Sequence, residues 1–248
     1  MRLQGKVAIV TGGGSGFGEG IAKRFAAEGA KVVVADINED AARRVAGEAG
    51  NGCTAVRADV SVSADVKAMV DAAVQGFGRL DILVNNAGYT HRNGPMLEVD
   101  EATFDRVYAV NVKSIYLGAL HAVPVFRGQG GGVILNVAST AGVRPRPGLT
   151  WYNGSKGAAI MLTKSMAVEL APDRIRVCAL NPVAGETGML HLFMGEDTPE
   201  KRAQFKATIP LGRLSLPKDI ANAALFLCSD EAEFLTGVCM EVDGGRCI

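Results

Sequence analysis

The chain predicts an α/β fold: one doubly wound parallel sheet of about seven strands, with helices on both faces. Three observations predict it. Short apolar runs of strand length alternate with helix-period segments from end to end. The first run feeds a glycine-rich turn that opens directly into a helical pattern. Nearly every run also ends on a polar residue: Asp36, Asp59, Asn85, Asn86, Ser139 or Asn181. In a parallel sheet such strand ends gather along one edge and face a ligand. Each is also an ordinary turn residue taken alone, so their convergence carries the weight.

The elements follow in order. Val7 to Val10 is apolar throughout, as expected of a strand buried on both faces. Thr11-Gly12-Gly13-Gly14-Ser15-Gly16-Phe17-Gly18 is the turn, and Ile21, Phe25 and Ala26 mark the helix after it. Lys31 to Ala35 is a second strand ending in Asp36, and Ala55-Val56 a third ending before Asp59-Val60. Ser63 to Phe77 reads as a helix with Ser63 as its N-cap. Ile82 to Val84 is a fourth strand. Ala102 to Phe126 is a long helix, broken near Pro124. Val133 to Val137 is a fifth strand and delivers Ser139; Tyr152 to Leu170 is a helix stopped by Pro172. Val177 to Leu180 is a sixth strand cut off by Asn181-Pro182. Pro217 to Cys228 is a helix with Pro at its start, and Val238 to Val242 is the last strand. No linker or repeat divides the chain, so residues 1–248 are expected to form one domain.

Composition narrows the function. Lys plus Arg and Asp plus Glu number 26 each, which argues against nucleic-acid and membrane-surface roles. No apolar run approaches the ~18 residues that span a bilayer. The first strand starts so early that no leader is expected ahead of it. The five cysteines are scattered, form no C-x-x-C pair and do not cluster with the three histidines. No metal site is expected, and a reducing, cytoplasmic setting is. Cys178 and Cys239 lie in apolar runs and read as small core residues.

The chemistry centres on Tyr152 and Lys156. Four residues apart on a helix, they share one face. A free phenol, with a pKa of about 10, is a poor base at neutral pH, and a neighbouring ammonium favours the phenolate. The pair is thus equipped to move a proton at a substrate hydroxyl. The glycine turn suits a pyrophosphate, which meets free backbone N–H groups at a helix N-terminus. Its spacing, Gly12-x-x-x-Gly16-x-Gly18, differs from G-x-G-x-x-G. Asp36 stands 24 positions after Gly12, where a carboxylate would meet adenosine ribose hydroxyls and repel a 2′-phosphate. With no Arg in the turn or directly after Asp36, NAD is favoured over NADP.

Thr11-Gly12-x-x-x-Gly16-x-Gly18, Asp59-Val60, Asn85-Asn86-Ala87-Gly88, Asn111, Ser139, Tyr152-x-x-x-Lys156 and Asn181-Pro182 together resemble the ordered motif set of the short-chain dehydrogenases/reductases. The resemblance runs from Lys6 to Gly245 and includes the 13-position step from Ser139 to Tyr152. It implies NAD(P)-dependent alcohol–carbonyl interconversion on a single Rossmann-type domain. Tyr152 would be the general acid/base. Lys156 would lower its pKa and hold the nicotinamide ribose. Ser139 would orient the substrate oxygen, and Asn111 would hold a water linking Lys156 to solvent. Gly12, Ser15, Gly16, Phe17 and Gly18 would cradle the cofactor, Asp36 and Ile37 its adenosine ribose, and Asp59 and Val60 its adenine. Asn86, Ala87 and Gly88 would line the ribose side, and Pro182, Gly185 and Thr187 the nicotinamide side. The chain departs from the family pattern at Val183, where Gly is usual, and at Gly185, where Val or Ile is usual.

The partner expected is a small-molecule alcohol or ketone. The loops at 89–96, 140–151 and 188–208 should face it, the last as a lid. They carry His91, Arg92, Arg144, Arg146, Trp151, His191 and Phe193. The arginines suit an anionic or polyhydroxylated substrate, or are solvated loop charges or subunit contacts. A 3-oxoacyl-thioester reductase of the same family and a non-catalytic NAD(H) sensor are the alternatives. Asp36 counts against the first, and the intact Asn111, Ser139, Tyr152 and Lys156 against the second. The helices at Ala102 and Tyr152 carry apolar residues on more than one face: Val107, Val110, Ile115 and Leu117, and Ile160, Met161, Leu162 and Met166. Paired subunits would hide them, and the family resemblance implies a homotetramer.

Overall fold

A computed structural model describes all 248 residues. Seven parallel strands form one sheet in the order β3-β2-β1-β4-β5-β6-β7. They are β1 (Val7–Thr11), β2 (Lys31–Asp36), β3 (Thr54–Arg57), β4 (Ile82–Asn85), β5 (Gly132–Val137), β6 (Ile175–Pro182) and β7 (Cys239–Val242). The strand order reverses between β1 and β4, which opens a crevice at their carboxyl ends.

Alternation along each strand sorts the core into two layers. Ala8, Val10, Val32, Val34, Val84, Leu135 and Leu180 face α1 (Gly16–Ala27), α2 (Glu39–Ala49) and α9 (Pro217–Cys228), where Ile21, Phe25, Val45, Ile220 and Leu225 meet them. Val7, Ile9, Val33, Leu83, Ile134 and Val177 face α3 (Ser63–Phe77), α5 (Ser114–Gln129) and α6 (Thr150–Leu170), against Val66, Met69, Leu117, Phe126 and Leu170.

Several expectations need correcting. Val62, not Ser63, occupies the N-cap of α3, and Ser63 Oγ instead pairs with His121 Nε2 at 2.9 Å. Pro124 does not break its helix: α5 runs on to Gln129, leaving one carbonyl a turn earlier without its helical donor. The real irregularity lies upstream, where α4 (Glu101–Tyr108) joins α5 through a π-helical turn, Ala109–Lys113. Such turns mark functional positions, and this one contains Asn111. Within Glu101–Gln129 an 18-residue window has mean hydropathy 1.2, apolar enough by composition to cross a membrane, yet half of that window is buried in the fold. β6 continues through Asn181 and Pro182, which sits at the strand's last position beside Val242. Val107, Val110, Ile115 and Leu117 are buried within this chain and leave no surface for a neighbour. The free apolar positions are Tyr116 and Leu120 on α5 and Met161 and Val168 on α6, the last 80% exposed.

The segment at 188–208 folds into α7 (Leu190–Met194) and α8 (Pro199–Ala207). Val183 explains itself here. With Leu190, Met194, Phe205, Ile209 and Leu214 it forms a small separate core under this segment. The loop 89–96 ties the segment down: Asn93 N–H donates to Leu192 O and Arg92 Nε to Gly195 O, both at 2.9 Å.

Candidate active site

A cleft of about 480 Å³ runs along the carboxyl edge of the sheet, from Asp36 and Asp59 at one end to Tyr152 and Phe193 at the other. At its floor the glycine turn is laced to the end of β4. Asn86 N–H and Ala87 N–H both donate to Thr11 Oγ1, at 3.0 and 3.1 Å. Asn86 Nδ2 donates to the carbonyls of Thr11 and Gly12, at 2.8 and 3.2 Å. Gly18 lies outside the cleft wall. A Cβ there would stand 2.1 Å from Gly12 O, so its role is to let α1 close on the turn. Gly12, Ser15, Gly16, Phe17, Asn86, Ala87 and Gly88 do line the cleft. Ser15 stands at the N-cap of α1, yet its hydroxyl caps nothing in that helix and remains exposed.

Asp36 lines the cleft beside Ile37 while bracing the turn. Its Oδ2 accepts from Gly14 N–H and its Oδ1 from Asn38 N–H, each at 2.9 Å. An arginine does reach the turn, contrary to the local sequence pattern: Arg44 Nη2 donates to Gly14 O at 3.0 Å. Glu19 and Glu48 pair with its guanidinium, so little of its charge is left for an incoming phosphate. Asp59 and Val60 line the same end. Burial raises the Asp59 pKa, but hydrogen bonds from Ser61 and Arg106 outweigh it and hold the carboxyl below the usual range.

At the other end, Tyr152 and Lys156 lie buried side by side in the first turns of α6, with the Lys156 ammonium 5.8 Å from the Tyr152 ring centroid. Lys156 Nζ donates to Val137 O at 2.8 Å, which ties α6 to the end of β5. Ser139 Oγ accepts from Ala141 N–H at 3.1 Å. The turn it begins packs so tightly on α6 that a Cβ at Gly142 would stand 2.7 Å from the Lys156 backbone carbon. Ser139, Tyr152 and Lys156 are thereby brought to one wall.

The electrostatics correct an expectation. The Tyr152 pKa is not lowered in the protein alone. Burial pushes the phenol up to about 12, against the Ser139 hydrogen bond and the attraction of Arg146. Burial also pushes Lys156 down to about 8. Both charged forms are disfavoured because the wall excludes water.

Asn111 lies behind this wall rather than on it. Its Nδ2 donates to Tyr89 O at 2.8 Å and to Ser155 Oγ at 2.9 Å, and its Oδ1 accepts from Tyr89 N–H at 2.8 Å. Both amide protons are engaged, so the side chain fixes the Tyr89 loop to α6. The expected water link through this side chain is reduced to one lone pair on Oδ1.

Pro182, Gly185 and Thr187 line the cleft beside Gly16. Asn85 and Asn181 do not: the first bonds Asn136 Oδ1 at 2.9 Å within the sheet, and the second is fully buried in β6. Of the loop residues expected near substrate, Arg144, Arg146 and Phe193 reach the cleft; His91, Arg92, Trp151 and His191 do not. Trp151 turns outward, donating to Met96 O at 3.0 Å. Phe205 and Arg246 were not foreseen. Arg246 follows the Asp243-Gly244-Gly245 end of β7, so the strand-end rule applied to the last strand points to it. Phe205 has no such signal in the charged sequence of α8.

The family model for enoyl-(acyl carrier protein) reductase matches residues 12–246. The chain is 56% identical over 255 residues to a 4-formylbenzenesulfonate dehydrogenase of Comamonas testosteroni, covering 99% of each chain. The crystal structure of a 3-ketoacyl-(acyl-carrier-protein) reductase from Brucella melitensis, complexed with NADH, matches with TM-score 0.95 at 53% identity, over 99% of this chain and 100% of that one. A 7α-hydroxysteroid dehydrogenase complexed with NADH and 7-oxo glycochenodeoxycholic acid matches with TM-score 0.92 at 40% identity, over 98% and 95%. With the glycine turn, Ser139, Tyr152 and Lys156 on one cleft and relatives matched over nearly their whole length, the chain belongs to the short-chain dehydrogenase/reductase family.

Proposed function

We propose that this protein is an NAD-dependent oxidoreductase that interconverts a secondary alcohol and a ketone. The observation that carries the reading is the buried Tyr152–Lys156 pair facing the same cleft as the glycine turn and Asp36. The cleft fits a dinucleotide: the exposed Ser15 hydroxyl and the N-terminal N–H groups of α1 suit its phosphates, and Asp36 retains a free lone pair on each oxygen for ribose hydroxyls. Two matched structures of family members hold NADH.

When bound, the nicotinamide accepts or donates the hydride. The rest falls to the chain. Ser139 hydrogen-bonds the reacting oxygen and fixes its distance from Tyr152. Tyr152 gives that oxygen a proton during ketone reduction and takes it back during alcohol oxidation. A phenol pushed up to about 12 is protonated at neutral pH, which equips it first as the donor. Lys156, held by Val137 O, keeps two further N–H donors for a ribose hydroxyl. Asn111 is a positioning residue acting through Tyr89 and Ser155.

We read residues 1–248 as a single catalytic domain with 188–208 as its lid, a homotetramer in the cytoplasm. Phe193 on the lid lies 5.2 Å from the Tyr152 ring, centroid to centroid, which supports the lid assignment. The exposed Met161 and Val168 support an assembly built on α6. A second reading, reduction of a 3-oxoacyl thioester, is favoured by the name of the Brucella relative. Following NADH with a panel of secondary alcohols, ketones and acetoacetyl-coenzyme A tests both. Turnover of the thioester alone narrows the first reading to the second, and turnover of nothing by a protein that binds NADH overturns both.

A further inference from the structure

The chemistry above leaves a group of arginines at the substrate end without a task. Arg144 and Arg146 come from the loop after Ser139, Arg246 follows β7, and all three line the cleft. They stand over the β5–β7 side of the sheet, while Asp36 follows β2. From β2 to β5 is three strand spacings, about 14 Å. The arginines are therefore remote from the adenosine end and close to Tyr152.

No carboxylate answers them. None of the three takes part in any ion pair of the molecule. Asp243, the nearest acid in sequence to Arg246, accepts instead from Gly245 N–H at 2.9 Å and Cys247 N–H at 2.7 Å. Arg246 Nη1 is buried without a hydrogen-bond partner. The Arg146 guanidinium is stacked 4.1 Å over the Phe205 ring centroid. Burial and repulsion from Arg246 push its pKa down to about 10. Two mutually repelling guanidiniums, one with a buried unsatisfied N–H, are costly to hold together unless an anion completes them. The walls between them and Tyr152 are apolar: Leu149, Phe193 and Phe205.

We propose that Arg146 and Arg246 form a subsite for a carboxylate or sulfonate on the substrate, carried on an apolar ring body remote from the reacting carbon–oxygen bond. The assignment rests on the reading of Tyr152 as the reacting group. Guanidinium forks match such oxyanions in two-point contact. Arg144 donates to Arg246 O and braces the pair from outside.

The test compares 4-acetylbenzoate with 4-acetylbenzamide, which share ring, ketone and shape but differ in charge. Calorimetry is run with saturating NAD⁺, with which a ketone cannot react, and again without cofactor. We expect the benzoate to bind wild type at least ~10-fold more tightly. The ratio should collapse toward one in Arg146→Gln and Arg246→Gln. Because it is taken within each variant, partial misfolding cancels. No preference in wild type, including no binding of either ketone, overturns the subsite, as does a preference that survives both substitutions. NADH consumption with the same ketones tests the parent reading separately. Anion-selective binding without turnover sinks hydride transfer and leaves the subsite standing; turnover of both ketones alike does the reverse.

Discussion

The Phe17 ring lies directly against Gly185: a Cβ at position 185 would stand 2.4 Å from Phe17 Cζ. The family pattern places a bulky apolar residue at this point of the loop. Here the bulk comes from α1 instead, and the loop residue is correspondingly small. The two positions form one packing unit in the cleft wall beside Thr187. We expect Gly185→Val to cost ~1–3 kcal/mol through overpacking. Phe17→Ala with Gly185→Val should recover part of that, with a coupling of at least ~0.5 kcal/mol. Urea denaturation of the two single variants and the double variant measures it; strict additivity would show the contact to be incidental.

Cofactor choice follows from Asp36. We expect NAD to be preferred over NADP by at least tenfold in kcat/KM, or ~1.4 kcal/mol. Steady-state kinetics with both cofactors decides the matter, and equal or better turnover with NADP contradicts it. Asp36 accepts from Gly14 and Asn38 with different oxygens, so Asp36→Asn, which can keep one of these bonds where Asp36→Ala keeps neither, is the milder variant with which to weaken the preference.

Removal of the phenol should abolish most of the chemistry. Tyr152→Phe is expected to lower kcat by ~10² or more while leaving NADH binding in place. Lys156→Ala should weaken both cofactor binding and rate. A Tyr152→Phe protein with unchanged kcat would move the proton transfer to another group.

Lys156 gives the unliganded protein a pH signature. Its folded pKa of about 8 lies below the ordinary 10.5, so below pH 8 both states are protonated and folding carries the whole burial cost. Between those two values the folded protein has released a proton that the unfolded chain still holds. Stability therefore rises with pH across that window, by about 3 kcal/mol as an upper bound. Tyr152, raised from 10 to about 12, works in the opposite sense between those values. Melting curves of wild type and Lys156→Met between about pH 7 and 10 should show wild type gaining on the variant as pH rises. A constant difference would rule out the shifted ammonium.

Assembly is tested by light scattering. The expected mass is four times the 25.9 kDa of one chain, and Val168→Lys is expected to lower it. A mass of one chain would leave the exposed Met161 and Val168 to another purpose.

The strand ends were legible because a parallel sheet puts chemistry and turn residues at the same positions; Asp36, Asp59, Asn86 and Ser139 all reach the cleft. Asn85 and Asn181 obey the same rule and do not: Asn85 packs under α5 against Asn136, and Asn181 is fully buried. Helix α2 carries the helical period on only three small residues, Ala42, Val45 and Ala46, within a charged stretch, and is absent from the sequence reading. The π turn at Asn111 leaves no compositional mark, because it changes which carbonyl each N–H reaches rather than which residues are apolar. The shifted pKa values were illegible for a similar reason: spacing tells which side chains are neighbours, while burial decides how each is charged.

The lacing of Asn86 to Thr11 and Gly12 has a consequence in time. On a ribosome the N-terminal β1, β2 and the helices beside them emerge first, and their contacts are local. Asn86 and Ala87, which clamp the glycine turn, lie 74 to 76 positions beyond the Thr11 and Gly12 groups they bond. Until β4 has been made and inserted beside β1, the turn is held only from the β2 side, by Asp36 and Arg44, and contacts of the longer sequence separation form slowly. The clamp on the glycine turn thus depends on β4, and ligand capture reports completion of the sheet's centre rather than its beginning.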